Sequence, residues 1–144
     1  MIEAAAWSEP GELELALSDS NTGDHRVGMV DAERETVSVP AVTLDDALPH
    51  SVDLILMDTQ ATEHFALRGA QALVRRSRPL LLVEFWPQGI REGGGDPLAV
   101  LVGYRDMGLR VSGAEGELPE DFGELVAAVD AADVPFTTLR LDPA

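Results

Sequence analysis

The 144-residue chain has no cysteine and no lysine. Without cysteine it holds neither a disulfide nor a thiolate for nucleophilic or metal chemistry. Without lysine, Schiff-base chemistry and a phosphate-loop lysine are excluded, and every basic side chain other than histidine is an arginine. Positive charge is scarce as well: 10 arginines face 26 aspartates and glutamates, a formal net charge of −16. Nucleic-acid binding needs cations that displace phosphate counterions, so nucleic acid is not an expected partner. The acidity is expected to serve solubility. The apolar runs are too short to span a bilayer, so no membrane partner is expected. The segment "MIEAAAWSEP" lacks the basic region and long apolar stretch of a secretory signal, which favours a cytoplasmic location. No GxGxxG, nucleophile-elbow or HExxH motif is present.

What is present reads as one α/β domain over 1–144, in two parts. Residues 1–44 are β-rich: "IEAAAW" and "GELELALS" flank the turn "SEPG", and "ETVSVPAVTL" carries β-branched residues at alternate positions. Residues 45–144 read as βαβ units. The runs "SVDLILMD" and "RPLLLVEFW" are nearly continuous in apolar residues, the pattern of parallel strands covered on both faces by helices. Between them, Ala66, Leu67, Ala70, Leu73 and Val74 share one helical face, which predicts a helix over 63–76 with Arg75, Arg76 and Arg78 at its favourable C-terminal end. A second helix is predicted over 97–107, with Asp96 as N-cap, proline in the first turn and Gly108 as the stop. A strand "GLRVSG", a helix near 119–131 and a strand "FTTLRL" complete the pattern. The segment "PQGIREGGGDP" reads as a long loop made flexible by its three glycines.

In such a sheet the ligand site lies at the carboxyl ends of the strands. Asp58 and Glu84 stand there, on strands joined by one helix, so a right-handed crossover places them side by side or one strand apart. Carboxylates in that position bind a divalent cation, orient a substrate hydroxyl or act as a general base. Equally, Asp58 or Thr59 caps the helix that follows, and Glu63 sits in its first turn, where negative charge is favoured. A polar loop over 18–28 gathers Ser20, Asn21, Asp24, His25 and Arg26, with His25 the side chain most readily tuned as a base near neutral pH. The same loop also reads as a solvated turn. His50 and His64 read as surface residues, and the three histidines lack metal-ligand spacing, so no metal site is expected.

The segments "EAAAWSEPGELEL", "SNTGDHRV", "VPAVTLDDAL", "VDLILMDTQATEHFALRGAQAL" and "RPLLLVEFWP", with the closing "GLRVSG" and "FTTLRL", resemble in their order the C-terminal two-thirds of an FkbM-type methyltransferase domain. The most specific stretch is the central one, where Asp58, Gln60, Glu63 and "LRGA" at 67–70 match the family's fourth-strand motif. Leu56 stands where the family usually has lysine, and Ala61 where it has glycine. The resemblance implies an incomplete Rossmann-like, class I methyltransferase fold: a mostly parallel sheet with flanking helices, in the family order 3-2-1-4-5-7-6 with the first two strands missing. It implies S-adenosylmethionine as cofactor and methyl transfer to a hydroxyl of a small-molecule acceptor or sugar. Asp58, His25 and Glu84 would then be catalytic, Asp58 and Gln60 would face the cofactor, and Asn21, Arg26 and Glu63 would face the substrate.

The glycine-rich loop that holds the cofactor and the acidic end of the second strand are not in the chain, which is expected to be a fragment or truncated product. The alternative is a non-catalytic half-domain that pairs through the edge bared beside the fourth strand, with itself as a homodimer or with a partner. In a third arrangement, the leading strand moves into the vacant place beside the fourth.

Overall fold

The computed structural model describes residues 1–21, 23–27 and 34–144. Short strands β1 (Ala5–Ala6), β2 (Gly11–Ala16), β3 (Arg26–Val27) and β4 (Thr36–Val42) come first. Helix α1 (Leu44–Ala47) leads to strand β5 (Leu54–Met57), helices α2 (Glu63–Arg68) and α3 (Gln71–Ser77), and strand β6 (Leu80–Phe85). Then follow α4 (Pro87–Glu92), α5 (Pro97–Asp106), β7 (Leu109–Gly113), α6 (Phe122–Asp130) and β8 (Thr137–Pro143).

The strands form two sheets, ordered β1-β4-β2-β3 and β5-β6-β8-β7. The second order reproduces the 4-5-7-6 end of the sheet that the resemblance implies. Both sheets are mixed, which corrects the expectation of a mostly parallel one. β5 and β6 run parallel, but β8 enters antiparallel between β6 and β7. In the first sheet only β1 and β4 are parallel. Nor does the leading strand move beside the fourth: β1 pairs with β4 and stays in the first sheet.

Coverage also differs from expectation. The buried strand residues of the core, Met57, Leu81, Val83, Phe85, Leu139 and Leu141, pack with Leu67, Val74, Leu101, Tyr104 and Leu125 of the helices in one cluster. Alternation and register put these strand residues on a single face. On the opposite face Leu54 and Leu56 remain 55% and 71% exposed, and β5 has no strand on its outer side among the described residues. A groove of about 380 Å³, lined in part by Leu44, Leu48 and Val52, runs along that edge.

The helix predicted over 63–76 breaks into α2 and α3 at Gly69 and Ala70. The break has two causes, both distant in sequence. The carbonyl of Trp7 approaches Gly69 so closely that a Cβ there would lie 2.0 Å from its oxygen. And the Asp45 carboxylate of "TLDDAL" accepts the amides of Ala72 and Leu73, at 3.0 and 2.6 Å, supplying the first turn of α3 with a cap from another element. The Gly69 carbonyl in turn accepts the Asp45 amide at 2.9 Å. Asp45→Ala is therefore expected to lower stability by about 1–2 kcal/mol, with Asp45→Asn losing less because one acceptor remains. The shift in urea midpoint at constant slope measures both.

Two further corrections are local. Residues 87–92 of the expected loop form α4, started by Pro87 in its first turn, where the missing N–H costs nothing. The glycines at 93–95 close that helix, the Gly95 amide reaching back to the Ile90 carbonyl at 2.8 Å. The second predicted helix is observed as α5, with Asp96 accepting the Leu98 amide and Gly108 beyond its end at φ +78°. The helix expected near 119–131 is α6, capped by Asp121.

Candidate functional site

Met57 points into the core, so strand alternation turns Asp58 to the opposite face, the one carrying Glu84 on the neighbouring strand. The crossover thus sets the two carboxylates on adjacent strands. Glu63, the first residue of α2, joins them from the turn. Carboxylate oxygens of Asp58, Glu63 and Glu84 lie within 4.8 Å of one another. A cluster of that size can share protons or hold a divalent cation.

The three environments differ. Asp58 is exposed, and its Oδ1 accepts the Gln60 side-chain amide at 3.1 Å. Glu63 is 2% exposed, and its Oε1 accepts the Thr59 amide at 2.6 Å. Burial pushes the Glu63 carboxyl above the usual range, while the Thr59 amide pulls it back. Glu84 is half-buried, and burial, followed by the charges of Asp58 and Glu63, pushes its pKa up to about 7. A carboxyl near 7 is matched to proton transfer at neutral pH.

The turn between β5 and α2 is left-handed at two successive residues, Gln60 at φ +55° and Ala61 at φ +70°. Alanine thus adopts at 61 the conformation that glycine takes without strain. Ala61 is buried, so the surrounding packing holds it there. The Thr62 hydroxyl adds a bond to the Thr59 carbonyl at 2.7 Å. The Thr59 hydroxyl is buried beside Glu63 and, with the Thr59 amide, favours the ionised form of that carboxyl against the effect of burial.

The polar loop lies on the other side of Thr59. His25 and Thr59 both line a cavity of about 490 Å³ between the first sheet and the β5–α2 turn. His25 Nδ1 accepts the Ser18 amide at 3.0 Å, so its proton sits on Nε2 and that nitrogen is a donor. Arg26 bonds Asp24 at 2.7 Å and Glu92 at 3.0 Å and lies over the Trp86 ring, which ties the loop to α4. Asn21 stays in the exposed loop, its Oδ1 accepting the Gly23 amide. Thr22 and Gly28 of this loop lie outside the described residues. The structure thus brings Asp58, Gln60, Glu63 and Glu84 together and sets His25 on the neighbouring cavity, while Asn21 and Arg26 hold the loop.

Three contributors escape the sequence reading. Trp7 stacks on Phe65 with centroids 4.2 Å apart and planes 17° apart, anchoring the first strand over α2. Asp45 fixes the start of α3. His64 is half-buried rather than on the surface: its Nδ1 is buried without a partner among the described residues, and burial, then Arg68, lowers its pKa to about 4. An i, i+1 pair of rings opening a helix is the signal for the His64–Phe65 cluster; nothing local signals Asp45.

The chain matches the family model described as "Methyltransferase FkbM domain" over residues 3–129. Neither a curated protein nor a solved structure matches it.

Proposed function

Because the chain belongs to the FkbM methyltransferase domain family, we propose that it contributes the acceptor-activating part of an S-adenosylmethionine-dependent methyl transfer to oxygen. The observation that carries this reading is the convergence of Asp58, Glu63 and Glu84 at the carboxyl ends of β5 and β6. A hydroxyl becomes a competent nucleophile when a positioned base takes its proton, and the Glu84 carboxylate has the matching basicity. Asp58 raises that basicity through its charge, and Glu63 frames the turn through the Thr59 amide.

The family usually uses S-adenosylmethionine. When bound, that cofactor supplies an electrophilic methyl group on a sulfonium centre. The donor set here fits its cationic end: Asp58, with Gln60 beside it, offers negative charge at an exposed strand terminus. Asp58 and Gln60 would hold that end, and the carboxylate face would orient the acceptor oxygen for in-line attack.

Calorimetric titration of the chain with S-adenosylmethionine and S-adenosylhomocysteine tests this reading. Binding is expected, stronger for the sulfonium than for the neutral thioether, with the preference abolished in Asp58→Asn. Equal affinities would remove Asp58 as the group that recognises the cationic end, and no binding at all would remove the cofactor from this chain. The second outcome favours another reading, a pairing module that uses the open β5 edge with its exposed Leu54 and Leu56.

A further inference from the structure

Sheet edges are commonly blunted by shortness, charge, proline or a covering loop. The edges of the first sheet are strands of two residues, β1 and β3. The far edge of the second sheet, β7, carries the exposed Arg110 and ends at Gly113, where a Cβ would lie 2.1 Å from the Gly116 carbonyl oxygen, so the turn over 113–116 closes on it. β5 is different. Its residues are Leu-Ile-Leu-Met, with no charge and no proline, and Leu54 and Leu56 are exposed.

The main chain there is turned outward. Leu54 pairs in register with Leu80, whose amide donates to the Asp53 carbonyl at 3.0 Å. In a parallel ladder that register directs the N–H and C=O groups of Ile55 and Met57 to β6 and those of Leu54 and Leu56 away from it. The outward groups are a template for one more strand. Such a strand would meet apolar surface on both faces. On the core side lies the groove, where Leu44, Leu48 and Ala66 stand with Ile55 and Met57. On the other are Leu54 and Leu56, with the half-buried Leu82 opposite Leu56. Apolar surface on both faces calls for a continuous apolar run, over the roughly 13 Å that four strand residues span.

Charge narrows the occupant further. Asp53 and Asp58 bracket the strand, both are exposed, and neither forms an ion pair among the described residues. A second copy would bring the same two aspartates and a formal −16 of its own. We propose that the β5 edge docks an extended segment of a different polypeptide, a short apolar run with an arginine or lysine at each end. Asp53 carries the charge selection, and Asp58 adds to it when no cofactor engages that carboxylate. This rests on the pairing reading of the edge and names its partner; it does not require methyl transfer.

The test is fluorescence anisotropy with three labelled peptides, each kept soluble by a Gly-Ser tail: Arg-Val-Val-Val-Val-Arg, the same core with Glu at both ends, and Arg at both ends of Gly-Ser-Gly-Ser. The Arg-flanked valine peptide is expected to bind saturably, the Glu-flanked one about tenfold more weakly, and the glycine-serine one not at all. Its addition should shift the amide signals of Leu54 and Leu56. Asp53→Arg should erase the preference for arginine ends, and Leu56→Asp should abolish binding, each in a spectrum otherwise unchanged. Should Leu56→Asp not fold, Asp53→Arg carries the decision. Equal binding of the two valine peptides, or a preference untouched by Asp53→Arg, would overturn the basic partner and leave edge pairing standing. Absence of binding, or binding that survives Leu56→Asp, would remove the docking edge itself. A chain that sediments as a dimer in the same buffer would make a second copy the occupant and overturn the assignment. No cofactor enters this titration, so its failure leaves the S-adenosylmethionine result standing, and the converse.

Discussion

Gly69→Ala is expected to destabilise the protein by about 3 kcal/mol, at the upper end of ordinary overpacking costs. The backbone at this position, φ −83°, suits any residue, so conformational strain is not the reason. The reason is the added methyl, which would lie 2.0 Å from the Trp7 carbonyl oxygen and 3.4 Å from Ser8 Cα. Both obstacles are main chain, so no side chain can rotate away. Either β1 lifts from α2, which opens the Trp7–Phe65 stack, or α2 and α3 separate and pull the Asp45 cap from α3. Gly103→Ala in α5 is the control, since nothing lies within 4 Å of its would-be Cβ. That change should stabilise by up to about 1 kcal/mol through helix propensity. Urea midpoints and the Trp7 emission of both variants decide the matter; a Gly69→Ala protein as stable as its parent would refute the close approach.

Glu84→Gln is expected to lower methyl transfer by about 100-fold or more and to flatten its pH profile, because the amide cannot accept the acceptor's proton. In the parent protein, turnover should rise with pH through an apparent value near 7, as Glu84 ionises. Asp58→Asn removes one of the charges that raise Glu84 and should move that rise to lower pH. The linkage to stability has the opposite sign. A carboxyl raised from 4.5 to about 7 keeps its proton longer in the folded state than in the unfolded one. Its stabilising contribution is complete below pH 4.5 and disappears as the pH climbs through about 7. Glu84→Gln should therefore melt higher than the parent at pH 8, by about 1 kcal/mol after allowance for its partial solvent contact, and the difference should vanish near pH 4.5. Melting scans across that range test the stability arm; a profile of turnover unchanged by the amide would remove Glu84 as the base.

Where local pattern suffices, these features can be read in advance. Strand period and the right-handed crossover put Asp58 beside Glu84, and the Asp96-Pro97 pair marks the start of α5. What escapes is whatever depends on partners far along the chain. Residues 63–76 carry one unbroken helical face, and only the Trp7 carbonyl and the Asp45 carboxylate, both from the first 45 residues, divide it. A strand's apolar alternation is the same read in either direction, so the antiparallel entry of β8 between β6 and β7 has no signature. The α4 helix is masked by the glycines that end it, and Pro87 is its starter.

The uncovered face of the second sheet has a colloidal consequence. Leu54 and Leu56 on an open strand edge invite other chains, and Asp53 and Asp58 bracket that strand at its two ends. If two copies met edge to edge in antiparallel register, with Leu54 opposite Met57, Asp53 of one would face Asp58 of the other. That like-charge contact adds to the repulsion between two bodies each carrying a formal −16. The barrier is long-ranged in dilute buffer and shrinks to about 8 Å at physiological ionic strength and about 3 Å in molar salt. The bare leucines are therefore guarded by a cloud of charge whose thickness the solvent sets, and added salt thins that guard until pairing between chains is no longer opposed.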